Sequence, residues 1–413
     1  MKILMLHQNM PGQFKYLAPA LARAGNEVVF VTKQKTVEIA GVRKIMYEPH
    51  RQVRSSTHHY MRLFENGILH GQQVARTCQQ LAGERFIPDL VIAHPGWGES
   101  LFIKDVFPRA PLINYCEFYY QGHGADIGFD PEKPVGLDDL CRARARNAHL
   151  LLSLEACDRG WSPTEWQKSR HPTALQNKIS TIFDGIDINT VKPDPAARFA
   201  LPDGRELTAK DEVITYVARN LEPYRGFPTF IRALPRLLKE RPKAQVVIVG
   251  GDGVSYGAPP TEGGTWREVM LKEVSLPKGR VHFMGQVPYA KYVSLLQISS
   301  AHVYLTYPFV LSWSFMEAMA AGCLIVASDT APVREVLTPG ENGYFTDFFD
   351  PDKVVASVVA ALKDKDSKRL REAARATIMG KYDLASCLPR QLAMIEAVAG
   401  KPVVARPQQP AAE

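Results

Sequence analysis

Two arginines at the end of one apolar run could bind an anion. Arg219 closes a predicted strand that begins near residue 213, and Arg225 stands six residues later, directly before Gly226. Fixed cations stabilise negative charge that grows in a transition state. The guanidinium group also makes bidentate contacts with phosphate oxygens. The pair predicts an anion site; the alternative for Arg225 is a solvated surface position.

A second anion site is predicted at the start of a short helix. The stretch 303–329 predicts a strand, a loop, this helix and a second buried strand. Ser314 precedes Glu317 by the spacing of a capping box, so the helix is expected to begin between Ser312 and Ser314. Unpaired amide groups and the helix dipole at such an end attract phosphate. We therefore assign Ser312, Trp313 and Ser314 to an anion site.

Glu317 lies on the first turn of this predicted helix, where its carboxylate could accept hydrogen bonds from the hydroxyl groups of a ribose. The alternative is that Glu317 only completes the capping box with Ser314. Gly322 supplies the helix stop. The helix and its carboxylate together predict a nucleotide site.

Polar side chains also follow two predicted strands of the N-terminal half. His94 follows the strand at 90–93 and precedes a Gly-Trp-Gly triplet, while Glu117 follows the strand at 112–116 and precedes an aromatic and acidic loop. Such a loop suits a polar sugar acceptor. We assign His94 and Glu117, together with the two arginines, to the catalytic set. The alternatives are a structural hydrogen bond for His94 and a salt bridge for Glu117.

Two glycines complete the predicted binding residues. Gly12 follows the first strand, where it would let the backbone approach a ligand, and a helix is expected to begin near Gln13 with its positive end towards that ligand. Gly251 belongs to a Gly-Gly-Asp-Gly turn that ends another strand and is expected to line a nucleotide pocket, although such turns are common in α/β domains.

The composition describes an ordinary globular chain in a reducing compartment. Its 413 residues are 46% hydrophobic and carry a net charge of +7 without any dense basic block, so nucleic acid is not an expected partner. The six cysteines form no Cys-x-x-Cys pair. The first residues predict a strand instead of a signal peptide, and no apolar run is long enough to span a membrane. We expect a cytoplasmic protein, with peripheral contact to the inner membrane face left open.

Apolar strands alternate with helices twice along the chain, which predicts two parallel α/β domains. The Pro-, Asp- and Gly-rich segment at 188–210 predicts the boundary. We divide the chain into domains at 1–190 and 191–383, a last helix over 384–400 and a disordered tail over 401–413. Other helices are expected over 12–24 and 57–82. The predicted strands are 3–6, 28–32, 42–47, 90–93, 112–116, 150–154, 179–183, 214–218, 246–249, 281–284, 303–306 and 324–327.

The segment from Glu317 to Gly322, Glu-Ala-Met-Ala-Ala-Gly, resembles the signature of retaining, nucleotide-sugar-dependent glycosyltransferases of family 4. These enzymes have the GT-B fold, in which two Rossmann-like, doubly wound domains face each other across a cleft. Their signature usually carries a first Glu eight residues earlier, near the donor sugar, and this chain has Phe309 there. The resemblance covers most of residues 1–395 and is strongest over 213–347.

The resemblance implies a role for each candidate residue. Arg219 and Arg225 would hold the diphosphate of a nucleoside diphosphate sugar, Glu317 would hold the ribose, and the amides at 312–315 would bind phosphate. The N-terminal domain would take a glycan, lipid-linked or small-molecule acceptor, and the C-terminal domain would bind the donor. No metal or other cofactor is implied. The base is usually contacted by backbone groups, so UDP, GDP and ADP remain open.

Two other functions stay open at this point. A sugar-nucleotide epimerase of the same fold would release a free sugar with inverted configuration. A non-catalytic protein that binds a nucleotide sugar or glycan is the interpretation favoured by Phe309, and it predicts binding without turnover. A Rossmann dehydrogenase is disfavoured because no Gly-x-Gly-x-x-Gly follows the first strand.

Overall fold

The computed structural model describes residues 1–403 of the chain. It divides into two compact units, one formed by Met1–Gly185 with the residues from Ala385 onward, the other by Ile186–Leu384. The boundary predicted from sequence, between residues 190 and 191, lies close to this division. Of the predicted tail, residues 404–413 lie outside the described residues.

The first unit is built on seven strands, β1 (Lys2–Leu6), β2 (Glu27–Thr32), β3 (Val42–Met46), β4 (Leu90–Ala93), β5 (Leu112–Tyr115), β6 (Arg159–Ser162) and β7 (Ile179–Thr181). They form one sheet in the order β3-β2-β1-β4-β5-β6-β7, and every neighbouring pair is parallel. The order reverses between β1 and β4. The carboxyl ends of these two strands therefore form a topological switch point, the usual ligand position in such sheets.

Helices cover both faces of this sheet. They are α1 (Leu17–Arg23), α2 (Arg62–Gly83), α3 (Ile103–Val106), α4 (Leu137–Arg146), α5 (Ala148–Ala156), α6 (Glu165–Arg170) and α14 (Leu384–Ala399). Alternate residues of β1 point to opposite faces, so Leu4 packs in a core with Val74 of α2. Ile3 packs on the other face with Leu17 of α1 and Ile395 of α14. Both faces of the central strands β1, β4 and β5 are buried, which explains why these strands are mostly apolar, whereas the edge strand β3 carries Arg43 and Lys44.

The second unit contains the strands β8 (Arg198–Ala200), β9 (Glu206–Thr208), β10 (Val213–Asn220), β11 (Gln245–Gly251), β12 (Val281–Phe283), β13 (Ala301–Tyr304), β14 (Ile325–Ser328) and β15 (Tyr344–Thr346). β8 and β9 pair as an antiparallel hairpin. The other six form a parallel sheet in the order β12-β11-β10-β13-β14-β15. Its switch point lies between β10 and β13. The predicted class, α/β with two doubly wound parallel sheets, is confirmed.

The helices of this unit are α7 (Phe227–Glu240), α8 (Trp266–Glu273), α9 (Tyr289–Gln297), α10 (Trp313–Ala320), α11 (Ala331–Arg334), α12 (Pro351–Lys363) and α13 (Ser367–Lys381). Gly322, with φ of +77°, ends α10 as the sequence predicted. Within residues 1–403, every helix is too short or too polar to cross a lipid bilayer.

The strand predicted over 150–154 is wrong, because these residues lie inside α5. Leu150 and Leu154 are buried while Leu151 and Leu152 are exposed. Burial at a spacing of four residues is the pattern of a helix that packs on one face. A short apolar run does not reveal this pattern by its composition, and the strand of this region is instead β6.

His302 of β13 is a buried histidine that makes stability depend on pH. Burial lowers the pKa of its imidazole to about 3, whereas a histidine in an unfolded chain titrates near pH 6.5. Below about pH 6.5 His302 binds a proton in the unfolded chain but not in the folded chain. The free energy of unfolding therefore falls as the pH is lowered. Between pH 6.5 and pH 5 this single residue is expected to remove about 2 kcal/mol.

Urea unfolding of the parent and of His302→Gln at pH 7 and pH 5 measures this effect. The variant is expected to lose about 2 kcal/mol less than the parent between the two pH values, because it lacks the titrating ring. Other buried histidines contribute equally to both proteins and cancel. An equal loss in parent and variant would show that His302 does not cause the acid sensitivity.

Candidate functional site

Two histidines meet at the switch point of the first sheet. His7 follows β1 and His94 follows β4, and both side chains are buried. Their ring centroids lie 4.7 Å apart, and the indole of Trp97 stacks on His94 at 4.9 Å. His94 thus stands at the expected strand end, whereas His7 was missed by the sequence analysis. The signal available for His7 was the same as for His94, a polar residue directly after an apolar strand.

Glu117 is linked to both histidines. Nε2 of His7 lies 2.7 Å from Oε1 of Gln13, and Nε2 of Gln13 donates to Oε1 of Glu117 at 2.6 Å. The other carboxylate oxygen of Glu117 lies 3.3 Å from Nε2 of His94, without the alignment of a hydrogen bond. The structure therefore brings together two residues of the predicted catalytic set, His94 and Glu117, and adds His7 and Gln13 to them.

The backbone sets the orientation of both imidazoles. In each ring Nδ1 accepts a hydrogen bond from the amide two residues later, at 2.9 Å for His7 and 3.1 Å for His94. A neutral imidazole whose Nδ1 accepts carries its proton on Nε2. In this neutral form the N–H of His7 donates to Gln13, and the N–H of His94 is directed towards Glu117. Gln13 and His94 consequently both direct N–H groups at the carboxylate of Glu117, and His7 fixes the orientation of Gln13.

The protonation states follow from burial and from these contacts. Burial is the main cause that lowers the pKa of His7 to about 3, so this ring is neutral at pH 7. Burial opposes ionisation of Glu117, but the contacts with His94 and Gln13 outweigh it and lower the pKa of the carboxyl. Its side chain is 27% exposed. The site thus presents an ionised, oriented carboxylate that can accept a hydrogen bond from a substrate hydroxyl.

Gly12 has a packing role in this network. Its φ is +52°, and a Cβ at this position would lie 2.3 Å from Nε2 of His7. The helix expected to begin near Gln13 is only a single 3₁₀ turn over Gly12–Phe14, and α1 begins at Leu17. The prediction of a helix dipole directed from this loop at a ligand is therefore wrong; a ligand contact of Gly12 itself stays a prediction.

A small cavity adjoins the carboxylate. It has a volume of about 50 Å³ and is lined by side chains that include His94, Asn114, Glu117 and Tyr120. Such a volume admits ordered water, since one water molecule needs about 10–15 Å³ of cavity volume. Nε2 of His94 and Oδ1 of Asn114 have no hydrogen-bond partner in this part of the described chain. The cavity suits ordered water beside Glu117.

Arg225 is buried at the switch point of the second sheet. Its Nη1 donates to the hydroxyl groups of Tyr304 at 3.0 Å and Thr306 at 2.6 Å, and its Nη2 donates to the carbonyl of Val310 at 3.1 Å. The ring of Tyr256 lies 5.1 Å from the guanidinium carbon. The solvated alternative for Arg225 is thus wrong, since the side chain is 6% exposed.

The charge of Arg225 has no counterion among the described residues. Within residues 1–403 no carboxylate lies at ion-pair distance from its guanidinium group, and its partners are hydroxyl groups, one carbonyl and one aromatic ring. Burying a cation without an anionic partner costs free energy. An anionic ligand beside Arg225 would supply the missing charge.

Arg219 and Gly251 lie at adjacent strand ends of the same sheet. Arg219 is exposed near the end of β10, and its neighbour Asn220 pairs in register with Gly251 of β11. A Cβ on Gly251 would lie 2.6 Å from Oδ1 of Asn220. A side chain at position 251 would therefore have to displace the side-chain amide of Asn220. The side chain of Arg219 remains accessible to a ligand.

The start of α10 lies where it was predicted, but its capping differs. The helix begins at Trp313 with Ser312 as N-cap, and no side chain caps it; Oγ of Ser312 instead lies 2.7 Å from Oγ of Ser314. The predicted capping box of Ser314 and Glu317 is wrong. Two of the four amides assigned to phosphate already have partners, because Ser312 donates to Tyr304 and Phe315 donates to Ser312. A phosphate contact at the start of α10 stays a prediction.

Glu317 lies on the second turn of α10, one turn later than predicted. It is 9% exposed. Its two carboxylate oxygens accept hydrogen bonds from the hydroxyl groups of Tyr289 at 2.7 Å and Tyr292 at 2.8 Å. The sequence analysis missed both tyrosines, although their spacing of three residues places them on one face of a helix.

Phe309 belongs to an aromatic cluster. Its ring lies 5.7 Å from Tyr224 in an edge-to-face arrangement and 5.1 Å from Tyr256. Tyr224 in turn stacks on Tyr307 at 4.7 Å. Because Tyr256 also contacts Arg225, this cluster forms one wall beside the buried cation.

Two family models match the chain. The model of the glycosyl transferase family 4 group matches residues 24–191, and the model of glycosyl transferases group 1 matches residues 201–377. Together they account for most of both units.

Curated relatives include two mycobacterial enzymes. The chain is 28% identical over 233 residues to the phosphatidyl-myo-inositol mannosyltransferase of Mycolicibacterium smegmatis, which is 55% of this chain and 54% of that protein. It is 25% identical to the GDP-mannose-dependent alpha-(1-6)-phosphatidylinositol monomannoside mannosyltransferase of Mycobacterium tuberculosis, over 68% and 70% of the two chains. The match thus spans about half the length of the first of these relatives.

Among solved structures, sucrose-phosphate synthase from Thermosynechococcus elongatus superposes with a TM-score of 0.71 at 15% identity, covering 97% of this chain and 100% of that one. At this identity the likeness concerns the fold, and it confirms the GT-B class.

Proposed function

Because the chain belongs to the family 4 group of glycosyl transferases, we propose that it is a retaining glycosyltransferase. It moves a sugar from a nucleoside diphosphate sugar to a glycan, lipid-linked or small-molecule acceptor. The observation that carries this proposal is the buried Arg225, a cation without a counterion at the switch point of the second sheet. A diphosphate supplies the missing negative charge, and more of it as the bond to the sugar breaks.

Each part of the second unit has a role in this proposal. Arg219 and Arg225 bind the diphosphate, the start of α10 at Ser312–Ser314 binds its terminal phosphate, and Glu317 accepts hydrogen bonds from the ribose. Gly251 lets the backbone lie close to the nucleotide. None of these contacts changes the sugar itself; they stabilise the leaving group.

The carboxylate network of the first unit serves the acceptor. Ionised Glu117, oriented by Gln13 and His94, accepts a hydrogen bond from the attacking hydroxyl group and places its oxygen for reaction. In a front-side displacement the departing phosphate takes the hydroxyl proton, so a separate strong base is not required. Retention of configuration is an implication of the family.

A lipid-linked acceptor is the preferred class, since the mycobacterial relatives are named for phosphatidylinositol lipids. The first unit exposes leucines on two neighbouring helices, Leu137 of α4 at 75% and Leu152 of α5 at 50%. We therefore propose peripheral contact with the cytoplasmic face of a membrane. Sedimentation with anionic phospholipid vesicles tests this: the protein is expected in the pellet, and a protein that stays in the supernatant would favour a soluble acceptor.

A thermal-shift screen against UDP, GDP, ADP and their common sugars, followed by transfer assays, tests the function. One nucleotide sugar is expected to raise the melting temperature and to release its sugar slowly in the absence of an acceptor. Binding without turnover would favour the non-catalytic binder, which Phe309 supports. Release of a free sugar with inverted configuration would support the epimerase, and the absence of any shift would reject the donor site.

Arg219→Ala is expected to weaken donor use at least about tenfold, which corresponds to a loss of about 1.4 kcal/mol of binding or transition-state energy. The reason is the loss of one fixed cation next to the diphosphate. Measurement of kcat/KM for the donor identified in the screen checks this prediction. Arg198→Ala, which removes an exposed arginine from the β8–β9 hairpin, is the matched control and should leave kcat/KM unchanged. Equal values for both variants would place the diphosphate elsewhere.

A further inference from the structure

Two tyrosines of α9 share the carboxylate of Glu317. Tyr289 and Tyr292 stand three residues apart, on one face of the helix, and each donates its hydroxyl hydrogen to a different oxygen of the same carboxylate. The distances, 2.7 and 2.8 Å, are those of good O–H···O hydrogen bonds. A side chain bonded at both oxygens cannot rotate without breaking at least one of these bonds.

The two tyrosines that bond to this carboxylate differ in their exposure to solvent. Tyr292 is buried, with 8% of its surface exposed, whereas 41% of Tyr289 is exposed. Burial and the neighbouring charge of Glu317 raise the pKa of Tyr292 well above its usual value, so Tyr292 stays a hydrogen donor throughout the physiological pH range. Tyr289 is more accessible to solvent than Tyr292, and the carboxylate that they share is 9% exposed.

The segment before α9 places this pair beside the proposed nucleotide pocket. Gln286, three residues before Tyr289, lies next to Gly251: a Cβ on Gly251 would be 3.2 Å from Nε2 of Gln286. Gly251 in turn pairs with the end of β10, which carries Arg219. The start of α9 therefore lies at the same carboxyl ends of the strands as the predicted donor site.

We propose that Tyr289 and Tyr292 are positioning residues that fix the carboxylate of Glu317 in the orientation that binds the ribose hydroxyl groups of the donor. The proposal rests on the donor-binding role of Glu317 given above. A carboxylate has about four acceptor positions, so it can bond to two phenols and a ribose diol together. Holding it in advance removes the entropic cost of ordering the side chain when the nucleotide binds.

Nucleotides that lack one ribose hydroxyl test the proposal. Dissociation constants are measured for UDP, GDP and ADP and for their 2′-deoxy and 3′-deoxy forms, with the parent, Tyr289→Phe, Tyr292→Phe and Glu317→Ala. Loss of a hydrogen bond to a charged group is expected to cost the parent about tenfold in affinity for at least one deoxy form. In both Phe variants this ratio of deoxy to ribose affinities is expected to fall to about threefold or less, and in Glu317→Ala to about one.

Tyr344→Phe provides the matched control. It removes another phenol that donates to a carboxylate in the same unit, that of Asp364, and is expected to keep the parental ratio. Each Phe variant keeps its ring, so any loss of packing is small, and a general loss of folding would lower the affinity for ribose and deoxy forms alike.

The outcomes separate the proposal from its premise. If Glu317→Ala loses the discrimination while both Phe variants keep it, the positioning role is overturned and the role of Glu317 stands. If Glu317→Ala retains the discrimination, the assignment of Glu317 to the ribose is overturned together with the inference. If none of the three nucleotides binds the parent, the donor site itself is rejected.

Discussion

Glu117→Gln is expected to lower kcat at least about 100-fold while the affinity for the donor changes little. The variant keeps the shape of the side chain but loses its negative charge and one acceptor. Gln13 and the imidazole of His94 both direct N–H groups at this side chain. The new amide can offer its oxygen to only one of them, so its NH₂ group faces the other donor. The acceptor hydroxyl then loses both its partner and its fixed position.

Steady-state kinetics with varied acceptor, together with direct measurement of donor binding, checks this prediction. Glu65→Gln is the matched control, because it neutralises a carboxylate of the same unit that pairs with Arg51 outside the network. A Glu117→Gln enzyme with parental kcat would reduce Glu117 to the salt-bridge partner of the alternative interpretation. A variant that loses donor binding as well would show that the network supports the whole fold of the site.

The positions of strand ends were predictable because strands of a parallel sheet are apolar on both faces and stop where polar residues begin. His94 and Arg219 could be assigned on this basis, and both lie at carboxyl ends next to the switch points of their sheets. The chemistry of such folds is concentrated at these ends. The position of these two residues in the fold could therefore be predicted from the sequence better than the identity of the residues around them.

The partners of these residues were not predictable, because they depend on contacts between distant segments. Gln13 meets Glu117 across 104 positions of the chain, and Tyr289 meets Glu317 across 28. The periodic pattern of apolar residues along a strand or helix gives no information about such pairs. The capping box at Ser314 failed for a related reason: the hydroxyl of Ser314 has a closer partner in Ser312, and the two phenols occupy Glu317.

Arg225→Met is expected to reduce the affinity for nucleoside diphosphates at least about 100-fold and to leave the melting temperature within about 5 °C of the parent. Methionine fills a similar volume without a charge. The structure then no longer has to bury a cation, which offsets part of the lost hydrogen bonds. Tyr304 keeps its bond from the amide of Ser312, and Thr306 keeps its bond to the carbonyl of residue 307.

Arg371→Met is the matched control in the same unit. Arg371 is also partly buried, and it donates hydrogen bonds to the carbonyls of residues 299, 300 and 322. These residues precede β13 and β14, at the amino ends of the strands, opposite the carboxyl ends that carry the proposed site. Its replacement is expected to lower the melting temperature without changing nucleotide affinity, measured by isothermal titration with the nucleotide found in the screen. If Arg225→Met behaved in the same way, the buried cation would be structural. If only Arg225→Met loses nucleotide affinity, the charge of Arg225 serves to bind the ligand. Folding alone does not require this charge, because an apolar side chain at the same position would allow the chain to fold equally well.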